Sequence, residues 1–197
     1  MLYKEIEDVF RENITPKNIY AVYDCHVNSG AVTLGVISVK SESLAGHLKG
    51  CNRAVLMAAT LGTNADMLTR RYSVQDMEKA LIADNICADM IEAYLDETEK
   101  EISILEDLKG LFAVDRYSPG YGDFSVICQK DILKLLGASR IGLSLTDGFM
   151  LTPSKSVTAV IGFSDEQQNS QQSMQKTSKC LLCKDKNCGF REEKNEF

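Results

Sequence analysis

The spacing of apolar residues changes several times along the chain, and each change marks a new element. Residues 4–12 repeat at helical spacing and stop before Thr15-Pro16, which predicts a short amphipathic helix. "IYAVYDCHV" (19–27) and "AVTLGVISV" (31–39) predict two strands joined by a hairpin turn at Asn28-Ser29-Gly30. A short helix over 41–49 follows, opened by Ser41 or Ser43 as its cap. "RAVLMAATLG" (53–62) is continuously apolar and ends in glycine, the pattern of a strand buried on both faces.

From Asn64 to about Leu108 the period is helical. Met77, Leu81, Cys87, Met90, Ile91, Tyr94 and Leu95 recur at three- and four-residue steps with acids between them. This predicts one long helix, or two with a break near Tyr72-Ser73, and "SVQD" (73–76) reads as an N-terminal cap with an acid at its third position. "LFAVDRY" (111–117) is strand-like, and "SVICQKDILKLLG" (125–137) is a helix closed by Gly137. The stretch 141–164 carries Asp147-Gly148 and alternating apolar residues, so a strand pair is expected there.

After Phe163 the apolar pattern ends. "SDEQQNSQQSMQKTSK" holds five glutamines and almost nothing to bury. The reading is a body at 1–164, a flexible linker at 165–179 and a cysteine-containing tail at 180–197.

Composition adds exclusions. The 197 residues suffice for one well-buried domain, with 44% hydrophobic and 25% charged content. The net charge of −6 and the lack of a basic stripe argue against a nucleic-acid partner. No apolar run approaches the roughly 20 residues that span a bilayer, and the first residues lack a signal-peptide pattern. A cytoplasmic protein with no membrane partner is expected.

Four of the seven cysteines, Cys25, Cys51, Cys87 and Cys128, lie in apolar surroundings and read as small core residues. Cys180, Cys183 and Cys188 are bunched, a pattern of metal or redox chemistry more than of a disulfide framework. Three thiolates suit zinc or an iron–sulfur cluster, but a closed site needs a fourth ligand from elsewhere. An electron-passing cluster, a structural zinc clip and an unstructured reactive tail all remain open. His47 reads as a partly exposed helix residue and His26 as a strand-end residue.

The turn "DRYSPGYGD" (115–123) is the strongest candidate for binding chemistry. Its Pro-Gly pair makes a tight bend where a ligand can approach the main chain. Arg116 offers a planar cation suited to a carboxylate, and Tyr117 and Tyr121 offer faces for stacking. Alternatively this is a plain surface turn with Arg116 paired to Asp115 or Asp123.

"RYSPGYGD" resembles the arginine-x-x-x-glycine-tyrosine motif of the activation domain of cobalamin-dependent methionine synthase. "SVICQKDILKLLG" and then "TPSKSVTAV" (152–160) follow in that family's order, and "AATLG" (58–62) and "DMIEAYLDE" (89–97) resemble its buried strand and long helix. The resemblance covers most of 20–164. It implies an α+β fold, with a twisted, mainly antiparallel sheet and flanking helices. It also implies binding of S-adenosylmethionine and support of the reductive methylation of cob(II)alamin, as a stand-alone reactivation subunit.

Carried over by residue, Arg116 would hold the ligand carboxylate, and Ser118, Pro119 and Gly120 would supply backbone contacts. Tyr121 would pack near the ligand or the corrin, and Glu92 would meet the amino group or sulfonium. Ser156 and Val157 would line the pocket. The implied partners are a cobalamin-binding methionine synthase core or another corrinoid protein, and an electron donor such as flavodoxin or ferredoxin. Where larger members continue the motif with Pro-Ala-Cys-Pro, this chain has Gly122-Asp123-Phe124, and Asp24 is the only counterpart of an early acid.

Two other classes compete with this reading. One is a metal- or redox-sensing binding protein acting through Cys180, Cys183 and Cys188. The other, an ordinary S-adenosylmethionine methyltransferase, expects a glycine-rich loop after its first strand, which Asn28-Ser29-Gly30 does not supply.

Overall fold

The computed structural model describes residues 2–166. The linker beyond Glu166 and the tail with Cys180, Cys183 and Cys188 lie outside the described residues. The elements in order are α1 (Leu2–Asn13), β1 (Lys17–Asn28), β2 (Ala31–Leu34), β3 (Ile37–Lys40), α2 (Glu42–His47), β4 (Arg53–Thr60), α3 (Thr63–Gln75) and α4 (Met77–Ser103). Then come β5 (Phe112–Ala113), α5 (Gln129–Leu136), β6 (Ser144–Leu145), β7 (Leu151–Thr152) and β8 (Ser156–Ser164). The class is α+β: one six-stranded sheet in the order β3-β2-β1-β4-β8-β5, antiparallel at every pairing, with helices on both faces.

β4 lies in the middle of the sheet, and its apolar run has a clear cause. Val55, Met57 and Ala59 point into a core covered by α1, α3 and α4. Ala54, Leu56 and Ala58 point into a second core covered by α2, α5 and the β2–β3 hairpin. All six are fully buried. β8 repeats the pattern with Ala159, Ile161 and Phe163 on the first side and Val160 on the second. Burying each large aliphatic side chain contributes about 1.5–3 kcal/mol. The sheet is therefore a wall between two cores, and its β5 edge is where the candidate turn begins.

Three elements depart from the pattern-based expectation. The stretch 31–39 forms two strands, because Gly35 turns the chain in the left-handed region (φ 57°) and Val36 projects into solvent. A Cβ on Gly35 would lie 2.6 Å from the Tyr23 ring, so glycine is needed there. The helical break falls at Asp76, with Ser73 inside α3; the extended Asp76 caps α4 by accepting from the Glu78 amide at 2.8 Å. And "LFAVDRY" pairs as a regular strand over Phe112–Ala113 alone.

Among the described residues, no helix is long and apolar enough to cross a membrane. Cys25, Cys51 and Cys87 are buried free thiols and Cys128 is half-buried, and burial pushes Cys25 and Cys51 up to about 11. They are neutral core residues at physiological pH.

Candidate functional site

The shortening of β5 creates the site. Ala113 pairs with Phe163 and Tyr117 with Val160, so Val114, Asp115 and Arg116 stand opposite only Ile161 and Gly162. The extra residue makes this a β-bulge, a device that re-aims side chains at a sheet edge. Beyond it, consecutive side chains reach opposite faces. Arg116 reaches α4, and Tyr117 packs against α2.

Arg116 is largely enclosed, with its side chain 21% exposed, and it meets neither Asp115 nor Asp123. Its Nη2 donates to Glu92 Oε2 at 3.0 Å and its Nη1 to Asp96 Oδ1 at 3.0 Å. Nη1 also lies 2.9 Å from Glu99 Oε1, a buried oxygen without an aligned hydrogen bond. Burial pushes the Glu99 carboxyl upward, Arg116 opposes this, and Asp96 adds to it. Glu92 was read from the sequence as the helical acid of the site. Asp96 and Glu99 were missed, although acids at 92, 96 and 99 form an i, i+4, i+7 stripe on one helix face.

On the other face Tyr117 anchors an aromatic cluster. Its ring lies 4.7 Å from His47, 5.8 Å from Tyr121 edge-on, and 6.3 Å from Phe124 in a stacked arrangement. His47 Nε2 donates to the Asp115 carbonyl at 2.7 Å, which ties the end of α2 to the residue preceding Arg116. No local pattern identifies His47 as part of the site.

The bend is closed on itself. The Gly120 amide donates to the Phe124 carbonyl at 2.7 Å and the Tyr121 amide to the Ser118 carbonyl at 3.1 Å. The Gly120 amide, one of the expected backbone contacts to a ligand, is thus engaged within the turn, as is the Tyr121 amide. Ser118 and Pro119 are half-buried, whereas Gly120 and Tyr121 are exposed. Tyr121 is 40% exposed, so ring surface is available beside the motif.

Gly122 and Asp123 fasten the turn to α2. Asp123 accepts from Ser41 Oγ at 2.6 Å, from the Glu42 amide at 2.8 Å, from the Ser43 amide at 3.0 Å and from the Ser43 hydroxyl. It thus caps α2 together with Ser41, whose Oγ accepts from the Leu44 amide. Gly122 sits at φ 56°, and a Cβ there would fall 2.4 Å from Ser43 Oγ and 2.8 Å from the Tyr117 hydroxyl. Only glycine fits.

The Ser41 and Ser43 hydroxyls, and after them the two backbone amides, hold the Asp123 carboxyl well below the usual carboxylate range. A lowered native-state pKa favours folding at pH above the unfolded value of 3.8, and the gain is lost as pH falls from there toward the native value. Asp123→Asn is therefore expected to lower stability at neutral pH while leaving less to lose in acid. Thermal melts of variant and parent at pH 7 and pH 3 check this, and a variant deficit as large at pH 3 as at pH 7 would contradict it.

Ser156 and Val157 are not drawn into this cluster. Ser156 Oγ lies 2.7 Å from Thr60 Oγ1 and 2.6 Å from the Pro153 carbonyl, hydrogen-bonded to both. Val157 packs on the α3–α4 side of the sheet. Asp24 pairs with Arg53 at the far end of β1. Two open depressions lie nearby without including Arg116. One, of about 480 Å³, separates α2 from the β1–β2 hairpin; the other, of about 260 Å³, lies between β3 and Cys128. Among the described residues no group of three or more His, Cys, Asp or Glu could hold a metal ion.

No protein-family model matches the chain, and no curated protein matches it in sequence. Among solved structures it is similar to one described as the crystal structure of the MetH reactivation domain bound to AdoHcy, with a TM-score of 0.62 and 14% identity. The match covers 85% of this chain and 66% of that one. At this identity the likeness shows the fold, and the fold is that of the reactivation domain.

Proposed function

We propose that this protein binds S-adenosylmethionine at the Arg116 turn and acts as the reactivation subunit of a cobalamin-dependent methionine synthase or a related corrinoid methyltransferase. One observation carries the reading. The arginine-x-x-x-glycine-tyrosine turn lies on the bulged edge of a sheet whose fold is shared with a domain solved with S-adenosylhomocysteine.

The residues present fit the ligand. Arg116 is a fixed planar cation suited to a carboxylate, the exposed carboxylate of Glu92 suits an ammonium or sulfonium, and the partly exposed Tyr121 ring suits a stacked ring. When bound, S-adenosylmethionine supplies an electrophilic methyl group. The work left to this chain is to hold and orient the ligand at the edge of the sheet. His47 and Asp123 brace the turn on α2, and Glu92, Asp96 and Glu99 brace Arg116 on α4. No proton needs to be taken up or released by these groups.

Neither depression encloses the turn, so water would be excluded by a second surface. The corrinoid domain of the partner fits that role. The electron donor, flavodoxin or ferredoxin by chemical class, is part of the same proposal. So is a metal at Cys180, Cys183 and Cys188.

The test mixes the purified full-length chain with a corrinoid methyltransferase core in the cob(II) state, a chemical reductant and S-adenosylmethionine labelled in its methyl group. Label is expected in methylcobalamin, dependent on this chain. Labelling equal to that of the core alone would sink the reading.

A further inference from the structure

The sheet ends in an open edge. β5 is its outermost strand, and among the described residues no strand pairs with its outer side. Phe112 in that strand is 43% exposed, and Ile104, which ends α4, is 80% exposed. The connection between them folds through successive hydrogen-bonded turns, with the Leu105, Leu108 and Leu111 amides donating to the Ile102, Leu105 and Leu108 carbonyls. Leu105 and Leu111 are only half-buried against the first core. Apolar surface thus runs from the end of α4 to the edge of the sheet. It is set in negative charge: residues 96–116 hold seven acids against three bases.

The last described residues lead directly onto this surface. Ser164 pairs with Phe112, Ser164 Oγ donates to the Glu166 carbonyl at 2.7 Å, and Asn52 Nδ2 donates to Asp165 Oδ2 at 2.7 Å. The sequence continues from there through 167–197, outside the described residues, and its charge is opposite in sign. Residues 176–191 hold five bases against one acid, and "KCLLCKDK" (179–186) sets a leucine pair between lysines. We propose that 179–186 dock back on the α4–β5 connection of their own chain. Leu181 and Leu182 cover Ile104 and Phe112, and Lys179, Lys184 and Lys186 meet the acids around them.

Reach and tethering favour this occupant. Twelve residues, 167–178, separate Glu166 from Lys179, and a coil of that length spans about 19 Å. Tethering raises the local concentration to the order of millimolar, so a contact too weak to hold two separate chains still forms. The exposed apolar residues Met67, Val74, Met77 and Leu81 lie toward the opposite end of α4, and Arg70 and Arg71 beside them repel a basic segment. Docking at β5 brings Cys180 and Cys183 to the strand whose Phe112 precedes Arg116 by four residues, about 13 Å of extended chain. The cysteines then share an edge with the candidate turn, whether or not they hold a metal.

This inference does not depend on the identity of the ligand. It is tested on the full-length chain with a zero-length carbodiimide, which joins a lysine to a carboxylate only where the two touch, followed by peptide mapping. In the monomer band, Lys179, Lys184 and Lys186 are expected to link to Glu97, Glu101, Glu106 and Asp107 at least fivefold more than to the exposed Glu5, Glu12 and Glu78. The double variant Ile104→Ser, Phe112→Ser keeps every charge and is expected to lower that yield at least threefold, with circular dichroism confirming its fold. Leu181→Ser, Leu182→Ser leaves residues 2–166 untouched and is expected to lower it equally; it decides the matter should the first variant unfold.

Cross-links spread evenly over the surface, or an undiminished yield in either folded variant, overturn the proposal. So do links found only in a dimer band, which would assign the docked segment to a second copy.

Discussion

Arg116→Ala is expected to weaken S-adenosylmethionine binding about thirtyfold or more, equivalent to about 2 kcal/mol, because a charge-assisted pair is removed. Arg116 is well placed for so large an effect. Its side chain is mostly enclosed, and its position is set by the bulge opposite Ile161 and Gly162 and by three carboxylates of α4. The alanine variant also leaves Glu92, Asp96 and Glu99 facing one another without a cation, so a ligand carboxylate is repelled where it was previously attracted. Arg116→Lys should recover only part of the affinity, since an ammonium cannot serve several oxygens with a planar fork. Titration calorimetry on the full-length chain reads both effects. Unchanged affinity in the alanine variant would remove Arg116 from the ligand site.

Phe124→Ala is expected to cost about 3–5 kcal/mol of folding stability, the range found when a buried phenylalanine is truncated. Phe124 is 1% exposed in the core beneath α2 and α5 and stacks on Tyr117. Its own backbone closes the bend, accepting from the Gly120 amide and donating to the Tyr121 carbonyl. One side chain therefore connects the second core to the candidate turn. For a domain whose whole stability is about 5–15 kcal/mol, the loss is large. Urea unfolding should show the midpoint falling with little change in slope. A loss below about 1 kcal/mol would mean that the turn rearranges freely and that Phe124 is not its anchor.

Both effects originate in one arrangement. The turn leaves the sheet at a bulge, is tied to α4 through Arg116 and to α2 through His47 and Asp123, and is pinned to the core by Phe124. The proposed ligand recognition and the local stability thus fall to neighbouring residues that face opposite sides of the sheet. Substitutions on the α4 side should change affinity more than stability, and substitutions beneath α2 the reverse.

Much of this was legible from residues alone. The unbroken apolar run of β4 predicted burial on both faces, and the Asn28-Ser29-Gly30 turn and the glycine cap at Gly137 fall where expected. Local pattern failed where two elements share one period. Apolar residues continue through Leu34-Gly35-Val36-Ile37, so nothing in the alternation marks the turn that divides β2 from β3. The helical break was misplaced by a few residues, because Ser73 and Asp76 both have the chemistry of a cap and only packing selects between them.

The sequence by itself determined the residues of the proposed site: an arginine, a glycine-tyrosine pair and one helical acid, Glu92. It also determined which positions must be buried, since periodicity reports the side of an element that avoids water. Only the tertiary structure decided what meets what. Arg116 reaches Glu92 and Asp96 across 24 and 20 residues, and Asp123 reaches Ser41 across 82. A period identifies a covered face and says nothing about the element that covers it. That choice is made by the order of strands in the sheet and by the bulge at its edge.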